Sequence, residues 1–149
     1  MTQSAAFTRR VDRLCGGRSP SDGFLAERYA VGQGWNHAYL ADTLQRARPS
    51  VVLALGGWKG GFTIHMAETM LPMRSGGIVI AVDPRLCSWG HWENPAQYQD
   101  LLSVFGYPTM SITFLANTVA HGLQGRVLPL PLSSGNACFM ADRRGFGRM

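Results

Sequence analysis

Two short apolar runs, SVVLALGG at residues 50–57 and IVIAVD at residues 78–83, dominate the hydrophobic pattern of the chain. Both are rich in β-branched residues and lack polar alternation, which predicts two strands buried on both faces of a parallel sheet. Between them, residues 63–71 place apolar side chains at helical intervals, and Pro72 ends the pattern. The order strand, glycine turn, helix, strand predicts a βαβ unit with a right-handed crossover.

Two further helices are predicted on either side of this unit. Residues 37–47 carry apolar residues on a single helical stripe, with Asn36 as the expected N-cap and Pro49 beyond the end. Residues 98–106, YQDLLSVFG, have the pattern of a short helix.

The pattern after residue 107 predicts one more helix and one more strand. Residues 108–125 repeat apolar side chains at helical intervals up to glycines of the kind that end helices. The predicted inward positions of this helix are Ile112, Leu115 and Val119. RVLPLPL at residues 126–132 predicts a third strand, and its two prolines favour a place at the edge of the sheet.

The periodic pattern weakens at both ends of the chain and once inside it. Residues 1–23 contain turn formers without sustained periodicity, which predicts a mobile leader before a domain of residues 24–136. Residues 137–149 are rich in Arg and Gly and predict an irregular basic tail. Residues 84–97, PRLCSWGHWENPAQ, are aromatic and irregular, so they are a candidate lid or pocket wall, or a loop packed for structural reasons alone.

The composition fits one domain with its own core, since 46% of the 149 residues are hydrophobic. The formal net charge of +5 comes largely from arginines near the two termini, which favours solvated tails over a nucleic-acid surface. The three cysteines are widely spaced, which argues against a disulfide framework or a zinc site and for reduced thiols in the cytoplasm. No apolar run approaches the roughly 18 residues of a membrane span. We therefore expect no membrane partner and no metal site.

The turn GGWKGG at residues 56–61 is the strongest candidate for chemistry. A dinucleotide site requires GxGxxG, but Trp58 occupies the position of the second glycine. A triphosphate-binding P-loop requires its lysine directly before a Ser or Thr at the start of the helix, whereas Lys59 comes earlier in the turn. Neither class of nucleotide site is favoured.

LALGGWKGG followed by a helix, with IVIAVD as the next strand, resembles the cofactor-binding half of class I S-adenosylmethionine-dependent methyltransferases. AVDPRLCSWGHW and FLANTVAHGLQGRVLPLPLSS extend the resemblance to the small-molecule branch of that superfamily, over residues 37–136. The resemblance implies an α/β, Rossmann-like class I methyltransferase fold, incomplete here, with about three parallel strands and flanking helices. It also implies S-adenosylmethionine as the cofactor and a small molecule as the methyl acceptor.

The resemblance further implies which residues bind the cofactor. These are Gly56, Gly57, Trp58 and Gly60 in the cofactor loop, Asp83 at the ribose, and Leu132 and Ser133 beside the adenine. A carboxylate is a natural acceptor for the two ribose hydroxyls, and glycine lets a bulky nucleoside approach the main chain.

Two features depart from the family's pattern. Ala54 stands where family members commonly place an acid that helps to hold the methionine ammonium group. The acid-rich fourth strand, which supplies metal ligands or the general base, is replaced by GNACFMADRRGFGRM, as in a truncated chain. The catalytic residues are therefore unknown, and the first strand is expected to have an open edge that favours self-association or a partner chain.

These observations leave three hypotheses of function. The first is an S-adenosylmethionine-dependent methyltransferase of a small molecule, with a hydroxyl acceptor, or its cofactor-binding half with weak or no independent activity. The second is a non-catalytic remnant that binds a nucleoside, or a protein through its open edge. The third is a nucleotide-binding α/β protein unrelated to methyl transfer.

Overall fold

The computed structural model describes residues 5–15, 37–73, 76–94, 96–99 and 101–144. The helices are α1 (Ala5–Cys15), α2 (Ala38–Ala47), α3 (Gly61–Met70), α4 (Trp89–Glu93), α5 (Met110–Ala120) and α6 (Ser134–Arg144). The strands are β1 (Val51–Leu55), β2 (Ile78–Val82), β3 (Ser103–Val104), β4 (Tyr107–Pro108) and β5 (Val127–Leu130). No helix within these ranges is long and apolar enough to cross a membrane.

A parallel sheet of three strands in the order β1–β2–β5 lies at the centre of the described structure. Leu53 of β1 lies opposite Ile80 of β2, and Pro129 of β5 lies opposite Ala81. β2 is buried at every position, as its unbroken apolar run predicts. The sheet and its flanking helices confirm the predicted α/β class, and β5 takes the predicted place at an edge.

One face of the sheet packs against α3 and α5. Ile64 of α3 and Phe114 of α5 are buried there against Ala54, Val79 and Val127, one residue from each strand. α3 follows the glycine turn as predicted, and α2 packs outside it through Leu44. This layer fixes the start of α3 at the carboxyl end of β1.

The opposite face of the sheet is covered by α1 and α6. Phe7 and Val11 of α1 are buried against Ile80 and Leu128, so residues 5–15 form a packed helix in place of the predicted mobile leader. The apolar stripe of this helix is short and lies among arginines, and its helical structure depends on packing against the sheet more than on local pattern. The remainder of the predicted leader lies outside the described residues.

α6 replaces most of the predicted irregular tail. Ser133 begins it as an N-cap, because its Oγ accepts the main-chain N–H of Asn136 at 3.3 Å and its carbonyl accepts that of Ala137. Ala137 is buried against the sheet. The prediction of an irregular tail is therefore wrong up to residue 144, and residues 145–149 lie outside the described residues.

One further helix prediction is confirmed in its bounds and another is wrong. α2 spans Ala38–Ala47 and ends before Pro49 as predicted, but its N-cap residue is His37 and not the expected Asn36, which lies outside the described residues. The described residues of the range 98–106 do not form the predicted helix but lead into a hairpin of β3 and β4. Phe105 and Gly106 have φ of 51° and 80°, which makes the two-residue turn that favours a hairpin.

The buried face of α5 differs from the predicted one. Ile112, Leu115 and Val119 are only half-buried, whereas Phe114, Asn117 and Thr118 are buried. The polar side chains are accommodated by hydrogen bonds, from Asn117 Nδ2 to the carbonyl of Lys59 at 2.8 Å and from Thr118 Oγ1 to that of Phe114 at 2.9 Å. Hydrophobic periodicity alone therefore selected the wrong face.

Among the described strands, β1 forms the second edge of the sheet, and it is less buried than predicted. The side chains of Leu53 and Leu55 are 47% and 56% exposed. Both lie on the face that α1 and α6 cover, but of the β1 residues on this face only Val51 packs against the cluster there. The prediction that β1 is buried on both faces is wrong for this face.

Candidate functional site

The glycine turn between β1 and α3 has an unusual main-chain conformation. Gly56, Trp58 and Gly60 have positive φ values of 76°, 44° and 101°. The N–H of Gly60 donates to the carbonyl of Gly57 at 2.7 Å, which closes the turn directly before α3. A positive φ suits glycine and is uncommon for tryptophan, so the turn holds Trp58 in a strained conformation.

Two of the glycines are explained by packing against Phe114. A Cβ atom on Gly57 would lie 3.3 Å from the Phe114 ring, and one on Gly60 would lie 3.2 Å from it. A Cβ atom on Gly56 would meet nothing within 4 Å. Gly57 and Gly60 therefore allow the aromatic ring to pack beneath the turn. Gly56 is explained instead by its positive φ.

Asp83, directly after β2, stabilises this turn through hydrogen bonds to its carboxylate. Its Oδ2 accepts the main-chain N–H groups of Gly57 at 2.6 Å and Trp58 at 3.1 Å. Its Oδ1 accepts the main-chain N–H of Arg85 at 2.7 Å. Because a carboxylate has about four acceptor positions, one remains after these three hydrogen bonds.

Arg85 is a buried cation beside this carboxylate, with a side chain only 4% exposed and a φ of 54°. Its guanidinium carbon lies 3.9 Å from the centre of the Phe114 ring. Nη1 donates to the carbonyl of Asp83 at 3.0 Å, Nη2 to that of Ala81 at 3.5 Å, and Nε has no partner. Burial lowers the pKa of Arg85 to about 10, and the charge of Asp83 opposes that effect.

An aromatic cluster forms the opposite wall of the site. The rings of Trp58 and His91 stack with centroids 4.2 Å apart, and Tyr98 meets both rings edge-on. The main-chain N–H of Ser88 donates to His91 Nδ1 at 3.0 Å, and Ser88 Oγ lies 2.8 Å from the same nitrogen. Since a main-chain N–H can only donate, the neutral His91 ring carries its proton on Nε2.

Cys87 lies next to Ser88 on the same wall. Burial and the nearby charge of Asp83 raise the pKa of its thiol. The thiol form is therefore favoured at neutral pH.

A cavity of about 600 Å³ lies between the glycine turn and this wall, at the carboxyl ends of β1 and β2. The residues that line it are Gly56, Gly57, Trp58, Gly61, Phe62, Asp83, Pro84, Arg85, Cys87, Ser88, His91 and Met110. Ligands of open α/β sheets bind at this end of the strands. The cavity also has the size of ordinary small-molecule sites, roughly 300–1,000 Å³.

The structure brings together some of the residues expected to bind a cofactor and separates others. Gly56, Gly57, Trp58 and Asp83 share the cavity, and Gly60 lies against Phe114 at the start of α3. Leu132 and Ser133 are not among the lining residues: Leu132 packs with the α1 side of the sheet, and Ser133 caps α6.

Several cavity residues were not assigned by sequence reasoning. They are Gly61, Phe62, Pro84, Arg85, Cys87, Ser88, His91 and Met110. Most of them belong to the aromatic segment of residues 84–97, whose composition predicted a pocket wall or a packed loop without indicating which side chains face inward. Within the described ranges, no group of three or more His, Cys, Asp or Glu side chains is placed to hold a metal ion.

Comparisons of the chain with protein-family models, with curated proteins and with solved structures find no match. Inferences about function therefore depend on the geometry and chemistry of this cavity.

Proposed function

We propose that the protein binds S-adenosylmethionine in this cavity and is a small-molecule methyltransferase or the cofactor-binding half of one. The observation that carries the proposal is the position of the glycine turn and Asp83 on one cavity at the carboxyl ends of two adjacent parallel strands. The strand order β1–β2–β5 also corresponds to one half of a Rossmann-like sheet.

The hydrogen bonds of Asp83 refine its proposed role. One acceptor position of its carboxylate remains free, so it can receive one ribose hydroxyl and not both. Its main role is to hold the turn of Gly57 and Trp58 in the shape that admits the ligand. The apolar lining, including Phe62 and Met110, supplies the packing surface for an adenine ring in place of Leu132 and Ser133.

The chemistry of methyl transfer suits a site of this kind. The reaction is an in-line displacement at a sulfonium, so the protein contributes mainly proximity and alignment of two bound molecules. A half-enclosed cavity with a rigid floor provides these, and the hydrogen bonds between Asp83 and the turn make the floor rigid.

The state of the three cysteines supports our proposal for the cellular compartment of the protein. Cys15, Cys87 and Cys138 are all free thiols. Free thiols fit a reducing compartment, and we place the protein in the cytoplasm.

The part of the chain that the structure describes leaves one edge of β1 open, which favours a second candidate function, self-association. Ser50 accepts an N–H from Ile78 and Gly56 donates to Val82, so the even-numbered residues of β1 face β2. The main-chain groups of Val51, Leu53 and Leu55 then point away from the sheet, because alternate residues of a parallel strand bond to opposite sides.

A second copy can meet this edge in a symmetric antiparallel register. With Leu53 opposite Leu53 and Val51 opposite Leu55, about six main-chain hydrogen bonds form across the two-fold axis. The exposed leucines of both copies then lie on one face of a continuous sheet. β1 contains neither a charge nor a proline to prevent such pairing.

Calorimetric titration with S-adenosylmethionine and S-adenosylhomocysteine tests the cofactor proposal. We expect both to bind. Trp58→Ala should weaken binding by roughly tenfold, because it removes the indole ring that lines the cavity and stacks on His91. Trp89→Ala is the matched control, since Trp89 is exposed and does not line the cavity. Absence of binding at about millimolar ligand would overturn the cofactor proposal.

A further inference from the structure

We infer that this cavity takes a methyl acceptor that is anionic, of the carboxylate class, and that Arg85 receives its charge. The inference rests on the proposed function for the methyl donor. It replaces the hydroxyl acceptor that the sequence suggested with an acceptor that needs no base.

A hydroxyl acceptor requires a group that removes its proton, and among the described residues the titratable groups that line the cavity do not provide one. These groups are Asp83, Arg85, Cys87 and His91. The carboxylate of Asp83 is committed to three main-chain N–H groups that hold the glycine turn and the start of the next loop. Proton uptake there would weaken the turn itself.

His91 and Cys87 are unsuited to the task for different reasons. The Nδ1 atom of His91 already accepts the N–H of Ser88, and its Nε2 carries the ring proton. Protonation of Nδ1 would break the cap of α4. The thiol pKa of Cys87 is raised, so its basic form is scarce at neutral pH.

Arg85 supplies the opposite property, a buried positive charge that lies near the charge of Asp83 but forms no ion pair with it. Of the described carboxylates, none lies within ion-pair distance of its guanidinium, and its donors reach only the carbonyls of Asp83 and Ala81. Its Nε has no hydrogen-bond partner and is itself enclosed by the protein, and each Nη carries a second N–H beyond its bond to one of these carbonyls. A buried cation with unused donors is stabilised by a bound anion, and a guanidinium matches a carboxylate in shape.

Two helices add to the positive potential of the cavity. α3 begins at Gly61 and α5 at Met110, and both of these residues line it. The first turn of a helix carries a partial positive charge, which favours an anion nearby. Neither N-cap residue makes a side-chain hydrogen bond that would offset this charge.

The reaction balances without a base when the acceptor is an anion. A lone pair on the acceptor oxygen forms the bond to the methyl carbon, and the methyl–sulfur bond breaks with its electron pair left on sulfur. The sulfonium becomes a neutral thioether and the carboxylate becomes a neutral methyl ester, so no proton is released.

Three probes that share a ring and differ in charge test the inference: benzoate, benzyl alcohol and benzylamine. Each is titrated calorimetrically into the wild-type protein with and without saturating S-adenosylhomocysteine. We expect benzoate to bind roughly tenfold more tightly than benzyl alcohol, and benzylamine to bind least, because charge-assisted hydrogen bonds exceed neutral ones by about that factor. Labelled S-adenosylmethionine should give methyl benzoate and no benzyl ether.

Two arginine variants test whether the preference for benzoate depends on Arg85. Arg85→Met should abolish the advantage of benzoate over benzyl alcohol. Arg126→Met should keep it, because Arg126 bonds the carbonyl of Gly77 at the opposite end of the strands. If Arg85→Met fails to fold, the order of the three probes on the wild type still decides the question.

The outcomes separate this inference from the proposed function. Binding of S-adenosylhomocysteine without preference for benzoate would overturn the anionic acceptor and leave the cofactor site standing. A preference for benzoate without binding of S-adenosylhomocysteine would overturn the methyltransferase proposal and leave an anion-binding cavity.

Discussion

The carboxylate of Asp83 accepts the main-chain N–H of Gly57 at 2.6 Å and thereby ties the end of β2 to the turn after β1. The same carboxylate holds Trp58 and Arg85, so one side chain positions the floor and one wall of the cavity. The glycine turn, which alone could suit several ligands, thus has its shape fixed by a residue of the next strand. The function of the glycine turn therefore depends on Asp83.

We expect Asp83→Ala to lower the free energy of unfolding by about 2 kcal/mol, because three main-chain donors lose a charged acceptor. Asp83→Asn retains one acceptor oxygen and should cost about 1 kcal/mol. Urea denaturation measures both. Asp42→Ala is the control, since its pair with Arg46 on α2 is exposed and should contribute less than about 0.5 kcal/mol. Equal losses for the Asp83 and Asp42 variants would contradict the assigned role.

The sequence predicted those parts of the fold in which local pattern and tertiary environment agree. The five apolar residues of β2 are followed by an acid, and they form the fully buried central strand. β1 has nearly the same pattern, yet Leu53 and Leu55 are exposed. An apolar run carries no information on how many neighbours the strand has, so the edge position could not be predicted from it.

The structure brings the glycine turn and Asp83 onto one cavity, whereas their role in binding a cofactor stays a prediction. Asp83 and the glycines were expected at one cavity, because the carboxyl ends of parallel strands meet there. Arg85 and His91 could not be assigned, since their inward orientation depends on a positive φ and on a capping bond within an irregular loop. Asn117 is buried for a similar reason, a hydrogen bond to a distant carbonyl that no periodicity reveals.

Substitution of Gly57 tests whether this glycine is required for the packing of Phe114 beneath the turn. Gly57→Ala brings a Cβ atom to 3.3 Å from Phe114, and we expect a loss of about 1–3 kcal/mol in the free energy of unfolding. In a Phe114→Leu background the additional loss should be smaller, because the ring that is in the way is gone. Urea denaturation of the four proteins of this cycle measures the coupling.

Gly135→Ala is the matched control for this cycle. A Cβ atom on Gly135 meets nothing within 4 Å, and the residue lies in α6. We expect its stability to be unchanged or raised by less than about 1 kcal/mol, as the helix propensity of alanine predicts. Strict additivity in the Phe114 cycle would show that Gly57 is not required for the packing of the ring.

The thiols should react at different rates. Cys87 should be alkylated slowly at neutral pH and faster as the pH rises, because burial and the charge of Asp83 raise its pKa. Asp83→Asn removes that charge, lowers the pKa of Cys87 and should speed its reaction at a fixed pH. Peptide mass spectrometry after iodoacetamide treatment resolves each cysteine.

Cys15 provides the internal control for this experiment, since burial alone raises the pKa of its thiol. Its rate should be the same in the wild type and in Asp83→Asn, provided that the variant is folded. Bound S-adenosylhomocysteine should protect Cys87, which lines the cavity, and leave exposed Cys138 unprotected. Equal protection of both would place the ligand elsewhere.

The open edge of β1 gives the last prediction. If a second copy pairs with it in the symmetric register, the wild type should show a dimer mass in size-exclusion chromatography with light scattering at micromolar concentration. Leu53→Lys should abolish the dimer, because two lysines would meet at the two-fold axis and a charge would lie on the edge. Leu71→Lys should keep it, since Leu71 is equally exposed, at 47%, but follows α3 away from the edge. A wild type that stays monomeric, or an equal effect of both lysines, would contradict pairing through β1.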